Sequence, residues 1–402
     1  MKILVVTQYY LPEPGATSNR LEAFVDAMVK RGHEVTVICE FPNHPTGVLS
    51  GKDRWRIFRV EKKGNYRIIR TFVFAFRNKN NIKRMLFYLS FAFSSFIASM
   101  VIRRHDIVFS SSPPIFHVLS ALFVSRLKGS RFVLDIRDIW PDTALYIEAV
   151  RSKRLLKWGR VIERKLYRDA ELIFTISDGL SATISARGGT DKVYISYNGS
   201  NADMLEWKGD KDALRAKLGW TDKFIVVYAG LIGLGQNLIK LSEHIREITD
   251  NKIQFIFIGD GPEKEALKNR SEEMNLSNVT FLDLMTREEA IAYTHAADVS
   301  LVILREADFF KSAIPSKFFD CMAAGKPVIS NVDGELREFM EKYDTGIYFS
   351  YREEYSFKDA IMRLFEDPAL REAMGLNGRK LVAEKFLRNI IADETVEFME
   401  NN

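Results

Sequence analysis

Cysteine is scarce in this sequence: its 402 residues include two, Cys39 and Cys321, in opposite halves. So few thiols exclude a disulfide-stapled scaffold and suit a reducing compartment. Low-complexity tracts and internal repeats are also missing, and the composition, 28% charged and 47% hydrophobic, excludes a mostly disordered or collagen-like chain. No G-x-G-x-x-G follows a strand, so a standard dinucleotide-binding loop is not supported. No DNA- or RNA-reading motif accompanies the basic residues. The opening MKILVVTQYYLPEPG lacks the long apolar stretch and small-residue cleavage site of a signal peptide, and reads as a buried first strand.

What is present is length, charge asymmetry and a repeating order of elements. A chain of 402 residues exceeds the ~250–300 at which one core stops growing, which predicts two or three domains. The net charge of +5 conceals a basic first half, with 32 Lys+Arg against 17 Asp+Glu in residues 1–200, and an acidic second half. A basic half suits an anionic surface or substrate. Short, nearly continuous apolar runs at 3–7, 34–39, 107–110, 131–134, 172–176 and 193–196 alternate with helical stretches. A second series occupies 224–229, 253–258, 279–282, 299–303 and 328–330. This alternation predicts an α/β chain with two doubly wound parallel-sheet domains and a cleft between the carboxyl ends of their strands. Residues 198–222 have loop composition, and the boundary is placed there. Residues 370–400 read as helix, broken near Gly375 and Gly378.

Residues 85–102 (MLFYLSFAFSSFIASMVI) carry no charge and are flanked by Lys79, Lys83 and Arg84 before and by Arg103 and Arg104 after. Against the ~20 apolar residues of a spanning helix their length is borderline, and a span is the least favoured reading because it would interrupt the βαβ series. Ser90, Ser94, Ser95 and Ser99 share one helical face, which favours a buried core helix; the sharper alternative is a helix dipped into a membrane surface. Residues 151–168 hold eight basic residues and one acid, Glu163, in a pattern compatible with an amphipathic helix. Either an anionic lipid surface or plain solvent would suit that face.

Five stretches have the composition of a site. Residues 11–20 (LPEPGATSNR) form a Pro/Gly-rich turn before a helix, where Gly15 would allow close approach of a ligand and Arg20 would face it. DIRDIWPD (135–142) follows a strand; Arg137 lies among its three acids, Trp140 would stack on a sugar, and a carboxylate would orient or deprotonate a hydroxyl. YAGLIGLG (228–235) and FIGDGP (257–262) end strands in glycine turns that offer backbone donors to phosphate or nucleoside. IPSKFFDCMAAGKPVI (314–329) starts a helix at Pro315 and Ser316 with Lys317 in its first turn. A lysine beside the positive helix end is unfavourable unless an anion joins it. Asp320, three residues on, would accept ribose hydroxyls.

These motifs, with GHEVTVI (32–38) and YNG (197–199), resemble glycosyltransferase family 4, and they run in the family's order over nearly the whole chain. DIRDIWPD and SSSPPIF (110–116) are similar to bacterial surface-polysaccharide enzymes such as N-acetylfucosaminyltransferases. The resemblance implies a GT-B fold: an acceptor-binding domain at 1–199, a nucleotide-sugar domain at 200–384, and a helix at about 385–402 returning to the first domain. It implies a retaining, metal-independent transferase without cofactor. A UDP-sugar would be its donor, a polyprenyl-diphosphate-linked or other glycan its acceptor, and the cytoplasmic face of an anionic membrane its location, with no nucleic-acid partner. Asp138 and Lys317 would be catalytic. Gly15, Gly230, Gly233, Gly235, Gly259, Gly261, Leu284, Pro315, Ser316, Lys317 and Asp320 would bind the donor. Arg20, Arg137, Asp138 and Trp140 would lie on the acceptor side. The sequence departs from the family pattern at Ser312, where the first acid of the Glu-x7-Glu pair is expected, and at Leu231 and Gln236, where Arg and Lys are common. Two alternatives remain open at this point: a nucleotide-sugar epimerase of the same fold, and a non-catalytic membrane-binding protein on a transferase scaffold.

Overall fold

The structure, a computed structural model, describes all residues except 14, 45, 78–80, 144–152, 189–191 and 352–355, and the side chains of 81, 153 and 155. The chain divides into two units, Met1–Tyr197 with Asn389–Asn402, and Asn198–Arg388.

The first unit is built on an eight-stranded sheet of order β3-β4-β2-β1-β5-β6-β7-β8. Its strands are β1 (Lys2–Val6), β2 (Glu34–Glu40), β3 (Phe58–Lys63), β4 (Tyr66–Thr71), β5 (Ile107–Ser112), β6 (Arg131–Ile136), β7 (Leu172–Thr175) and β8 (Val193–Ile195). All neighbours are parallel except β3 and β4. The central strands are apolar on both faces because helices cover both; Ile3, Val37, Phe109, Val133 and Phe174 are fully buried. The helix Arg388–Asn401 closes this unit. Its Ala392, Val396 and Met399 enter the core, Thr395 and Ser196 share a hydrogen bond at 2.7 Å, and Glu400 meets Arg31 at 2.8 Å.

The second unit carries a six-stranded, fully parallel sheet of order β11-β10-β9-β12-β13-β14. The strands are β9 (Phe224–Ala229), β10 (Ile253–Ile258), β11 (Val279–Leu282), β12 (Val299–Val302), β13 (Val328–Ser330) and β14 (Gly346–Tyr348). Strand order reverses at β1 in the first sheet and at β9 in the second. Ligands of such sheets sit outside the carboxyl ends of the strands beside the reversal.

Several local expectations change. The β3–β4 hairpin and β14 were not legible. The hairpin is charged and lies at the sheet edge, where an apolar run is not required. The stretch expected as loop holds the helix Lys211–Leu218, started by Asp210, whose carboxylate accepts the Asp212 and Ala213 N–H groups. The helix Pro368–Leu381 runs through both glycines expected to break it, and the chain leaves regular helix only at Val382–Phe386. A Cβ on Gly375 would stand 2.2 Å from the Gly325 carbonyl oxygen, so this glycine serves close packing.

The helix Asn81–Val101 differs most from a core helix. Its serine face is the buried one: Ser94 donates to Phe72 O at 2.6 Å, Ser99 to Ser95 O at 2.6 Å, and the Phe74 N–H donates to Ser90 at 3.0 Å. Phe87 and Phe91 of the same helix are fully buried and pack with Val73, while Leu86, Leu89, Phe93, Ile97 and Met100 are exposed. Serines can face inward because each hydroxyl finds a carbonyl, and the apolar stripe is left outside.

Candidate active site

In the second unit, β9 ends at Ala229 and the backbone turns at Gly230. Gly259 follows β10 with φ +137, and a Cβ there would stand 2.0 Å from the Gly230 carbonyl oxygen. The two strand ends therefore approach in a way that glycine permits. The loop that follows leaves the N–H groups of Gly233, Leu234 and Gly235 without acceptors among the described residues. Gly261 borders the same loop, since its Cβ would meet Ile232 O at 2.2 Å.

The helix Ser316–Ala323 begins beside this turn, with Pro315 at its cap. Its first N–H groups, on Ser316 and Lys317, have no acceptor among the described residues, as at other helix starts, where such groups can hold an anion. Lys317 is half-buried. Its Nζ donates to the Tyr228 hydroxyl at 2.8 Å and lies 4.1 Å from the centre of that ring. The Tyr228 hydroxyl donates onward to Leu231 O at 2.6 Å. The ammonium is thereby held over the end of β9, 2.9 Å from where a Cβ on Gly230 would stand. Asp320 accepts from Ser200 Oγ at 2.6 Å, and its second oxygen has no partner among the described residues. Leu284, beyond β11, is exposed.

In the first unit, the three acids of DIRDIWPD have three different fates. Asp135 is fully buried against Arg20, whose Nη2 donates at 2.9 Å and whose Nε spans both oxygens at 3.2 and 3.3 Å. Asp142 is paired with Arg160 at 3.0 Å and Arg187 at 2.5 Å. Asp138 has no hydrogen-bond partner among the described residues, and burial pushes its carboxyl up to about 6 against the pull of Arg137. Arg137 donates to Ser111 Oγ at 3.0 Å and Pro113 O at 3.1 Å. Trp140 is half-buried, edge-on to Phe116 at 5.8 Å.

One site expectation fails. Arg20 does not face a ligand: it is 2% exposed, donates to Tyr197 O at 2.9 Å, and lies over the Phe24 ring. A buried carboxylate 115 positions away claims it, which local sequence cannot show. Gly15 lies at the start of the helix Ala16–Lys30 in the first unit, with open space where a Cβ would stand. One contributor was missed. Tyr228 positions Lys317, and its signal was a polar-tipped ring at the end of an apolar strand. Arg305 and Lys311 are the cations the sequence offers in place of those absent at Leu231 and Gln236. Arg305 is exposed, its backbone N–H donates to Gly235 O at 2.8 Å, and its guanidinium has no partner among the described residues. Lys311, by contrast, is paired with Asp308 at 2.9 Å. Among the described residues, no three His, Cys, Asp or Glu side chains are grouped as metal ligands.

The sequence matches two family models, a glycosyl transferase 4-like domain over residues 15–199 and glycosyl transferases group 1 over residues 210–381. It is 27% identical over 357 residues to WcaI of Escherichia coli K12, a glycosyl transferase assigned to colanic acid biosynthesis, covering 85% of this chain and 86% of that protein. It is 24% identical over 293 residues to the lipopolysaccharide core biosynthesis glycosyltransferase LpsD of Rhizobium meliloti, covering 68% and 81%. Among solved structures, HepE of Anabaena in complex with UDP superposes with a TM-score of 0.73 at 16% identity, over 100% of both chains.

Proposed function

Because this chain belongs to the glycosyltransferase family defined by those 4-like and group 1 domains, and has the GT-B fold, we propose that it moves a sugar from a UDP-sugar to a lipid-linked glycan in bacterial surface-polysaccharide synthesis. The observation that carries this reading is the Lys317 ammonium, held by Tyr228 at the strand-order reversal of the second sheet beside unpartnered N–H groups. A departing diphosphate would collect its charge there, stabilised by Lys317, the first N–H groups of its helix, the Gly233–Gly235 loop and Arg305. Arg305 replaces the cations that Leu231 and Gln236 displace, so no metal is required in this scheme. The free oxygen of Asp320 would take a ribose hydroxyl, with Gly259, Gly261 and Leu284 around the nucleoside.

On the acceptor side, Asp138 is the carboxylate left free to orient or deprotonate the incoming hydroxyl, with Arg137 and Trp140 flanking it. Departure and attack on one face of the sugar would retain the anomeric configuration. The apolar stripe of the helix Asn81–Val101 and the outward Arg154, Lys157, Trp158 and Arg164 of the helix Lys153–Asp169 support docking on the inner face of an anionic membrane. The colanic acid and lipopolysaccharide core relatives support a cell-surface glycan as acceptor; its polyprenyl-diphosphate link and an amino- or deoxy-sugar donor belong to the proposal.

The test incubates the protein with a panel of UDP-sugars and polyprenyl-diphosphate-linked acceptors, with anomeric NMR of the product. Transfer with retention is expected, together with a loss of at least 100-fold in Lys317→Met. Epimerised donor in place of transfer, or full activity in that variant, refutes the reading.

A further inference from the structure

At the opposite end of the second sheet, before β12 and β13, lies a cavity of about 420 Å³. Four cations from three elements line it: Lys211 from the helix Lys211–Leu218, Lys326 from the turn before β13, and Arg371 and Arg379 from the helix Pro368–Leu381. Lys326 is 8% exposed, and its ammonium has no acceptor among the described residues. The two arginines are satisfied by neutral groups. Arg371 donates to Leu364 O at 2.6 Å, and Arg379 to Leu205 O at 2.5 Å and Ala323 O at 3.3 Å. Their charges stay uncompensated. Of the acids present, Asp298 is committed to Arg215 at 3.0 Å and to the Ile225 N–H at 2.8 Å, and Glu372 stands exposed at the rim.

We propose that this cavity is a binding site for a phosphate-class anion, a phosphate ester or diphosphate, separate from the donor end of the sheet. The Lys326 stem is buried while its ammonium opens on the cavity, and a partly desolvated charge without an acceptor is costly. An anion within reach of Lys326 and both guanidiniums removes that cost and gives charge-assisted hydrogen bonds. The walls are fixed in advance, because Gly375 packs directly on Gly325 and holds the long helix against the turn. Burial, with Lys211, Arg215 and Arg371 nearby and Asp298 opposing them, lowers the Lys326 ammonium to about 7. An incoming anion therefore draws a proton with it at neutral pH. The donor-site reading is not needed for this site.

Calorimetric titration of the full chain with inorganic pyrophosphate tests it, using the native protein and the Lys317→Met, Lys326→Met and Lys211→Glu variants. Lys317→Met keeps a binding event with unchanged Kd, whereas Lys326→Met weakens that event at least tenfold. Lys211→Glu, an exposed change that does not threaten folding, weakens it several-fold. Binding that vanishes in Lys317→Met, or persists unaltered in Lys326→Met, overturns the proposal. A second arm floats the protein with phosphatidylcholine vesicles containing phosphatidic acid. Flotation that depends on Lys326 assigns the anion to a lipid headgroup, and Lys326-dependent pyrophosphate binding with unchanged flotation assigns it to a soluble phosphate.

Discussion

Replacing Asp135 by Asn tests whether the floor of the first unit's motif is electrostatic. Asp135 and Arg20 are 0% and 2% exposed, so neither charge has water to fall back on. Asp135 also accepts from Ser111 Oγ at 2.7 Å, and that same hydroxyl accepts from Arg137. Asn keeps the shape, removes the charge, and turns an NH2 group toward donors. A buried pair broken on one side loses about 3–5 kcal/mol, because the surviving charge is uncompensated. For a unit of roughly 200 residues each kcal/mol moves Tm by about 2–4 °C, so a fall of about 6–20 °C is expected. Urea unfolding and a thermal scan of the full chain, with UDP withheld, measure it. The control is the double variant Arg20→Met/Asp135→Leu, which removes both charges and recovers most of the loss. If Asp135→Asn costs under about 1 kcal/mol, or the double variant is worse than the single one, the pair is not the buried anchor argued above.

Other outcomes follow from the same geometry. With its carboxyl raised to about 6, Asp138 in the proposed role of base would be ionised only above that pH, so kcat/KM for transfer should fall about tenfold per pH unit below 6; Asp138→Asn should lose about 10²–10⁴-fold and with it that limb of the profile. An acid limb that persists in the variant assigns the titration elsewhere. Gly259→Ala forces a methyl to within 2.0 Å of the Gly230 carbonyl at φ +137, so UDP-induced thermal stabilisation should disappear even where the fold survives; retained stabilisation counts against the close approach. Lys326 is a base lowered to about 7 in the folded chain, so the unfolded chain binds more protons between pH 7 and 10. Stability from this group therefore rises with pH across that window, and the penalty is fully present below 7. Lys326→Met should stabilise the anion-free protein by on the order of 3–5 kcal/mol at pH 7 and flatten that slope; denaturant curves at pH 7 and 9.5 that match the native protein refute it.

The sequence by itself determined the two parallel sheets, because strands buried on both faces must be continuous apolar runs, and 224–229, 253–258 and 279–282 coincide with β9, β10 and β11. It also marked Lys317, since a lysine in a helix's first turn is a local anomaly. Only the tertiary structure decided which charges are free. DIRDIWPD offers three equivalent-looking acids, and partners distant in sequence, Arg20 on one side and Arg187 on the other, remove two of them. Tyr228 beneath Lys317, and the three cations around Lys326, likewise come together only when strands and helices far apart in the chain are packed. Periodicity is a property of neighbours along the chain and survives in the sequence. Charge pairing is a property of neighbours in space, and the fold alone supplies it.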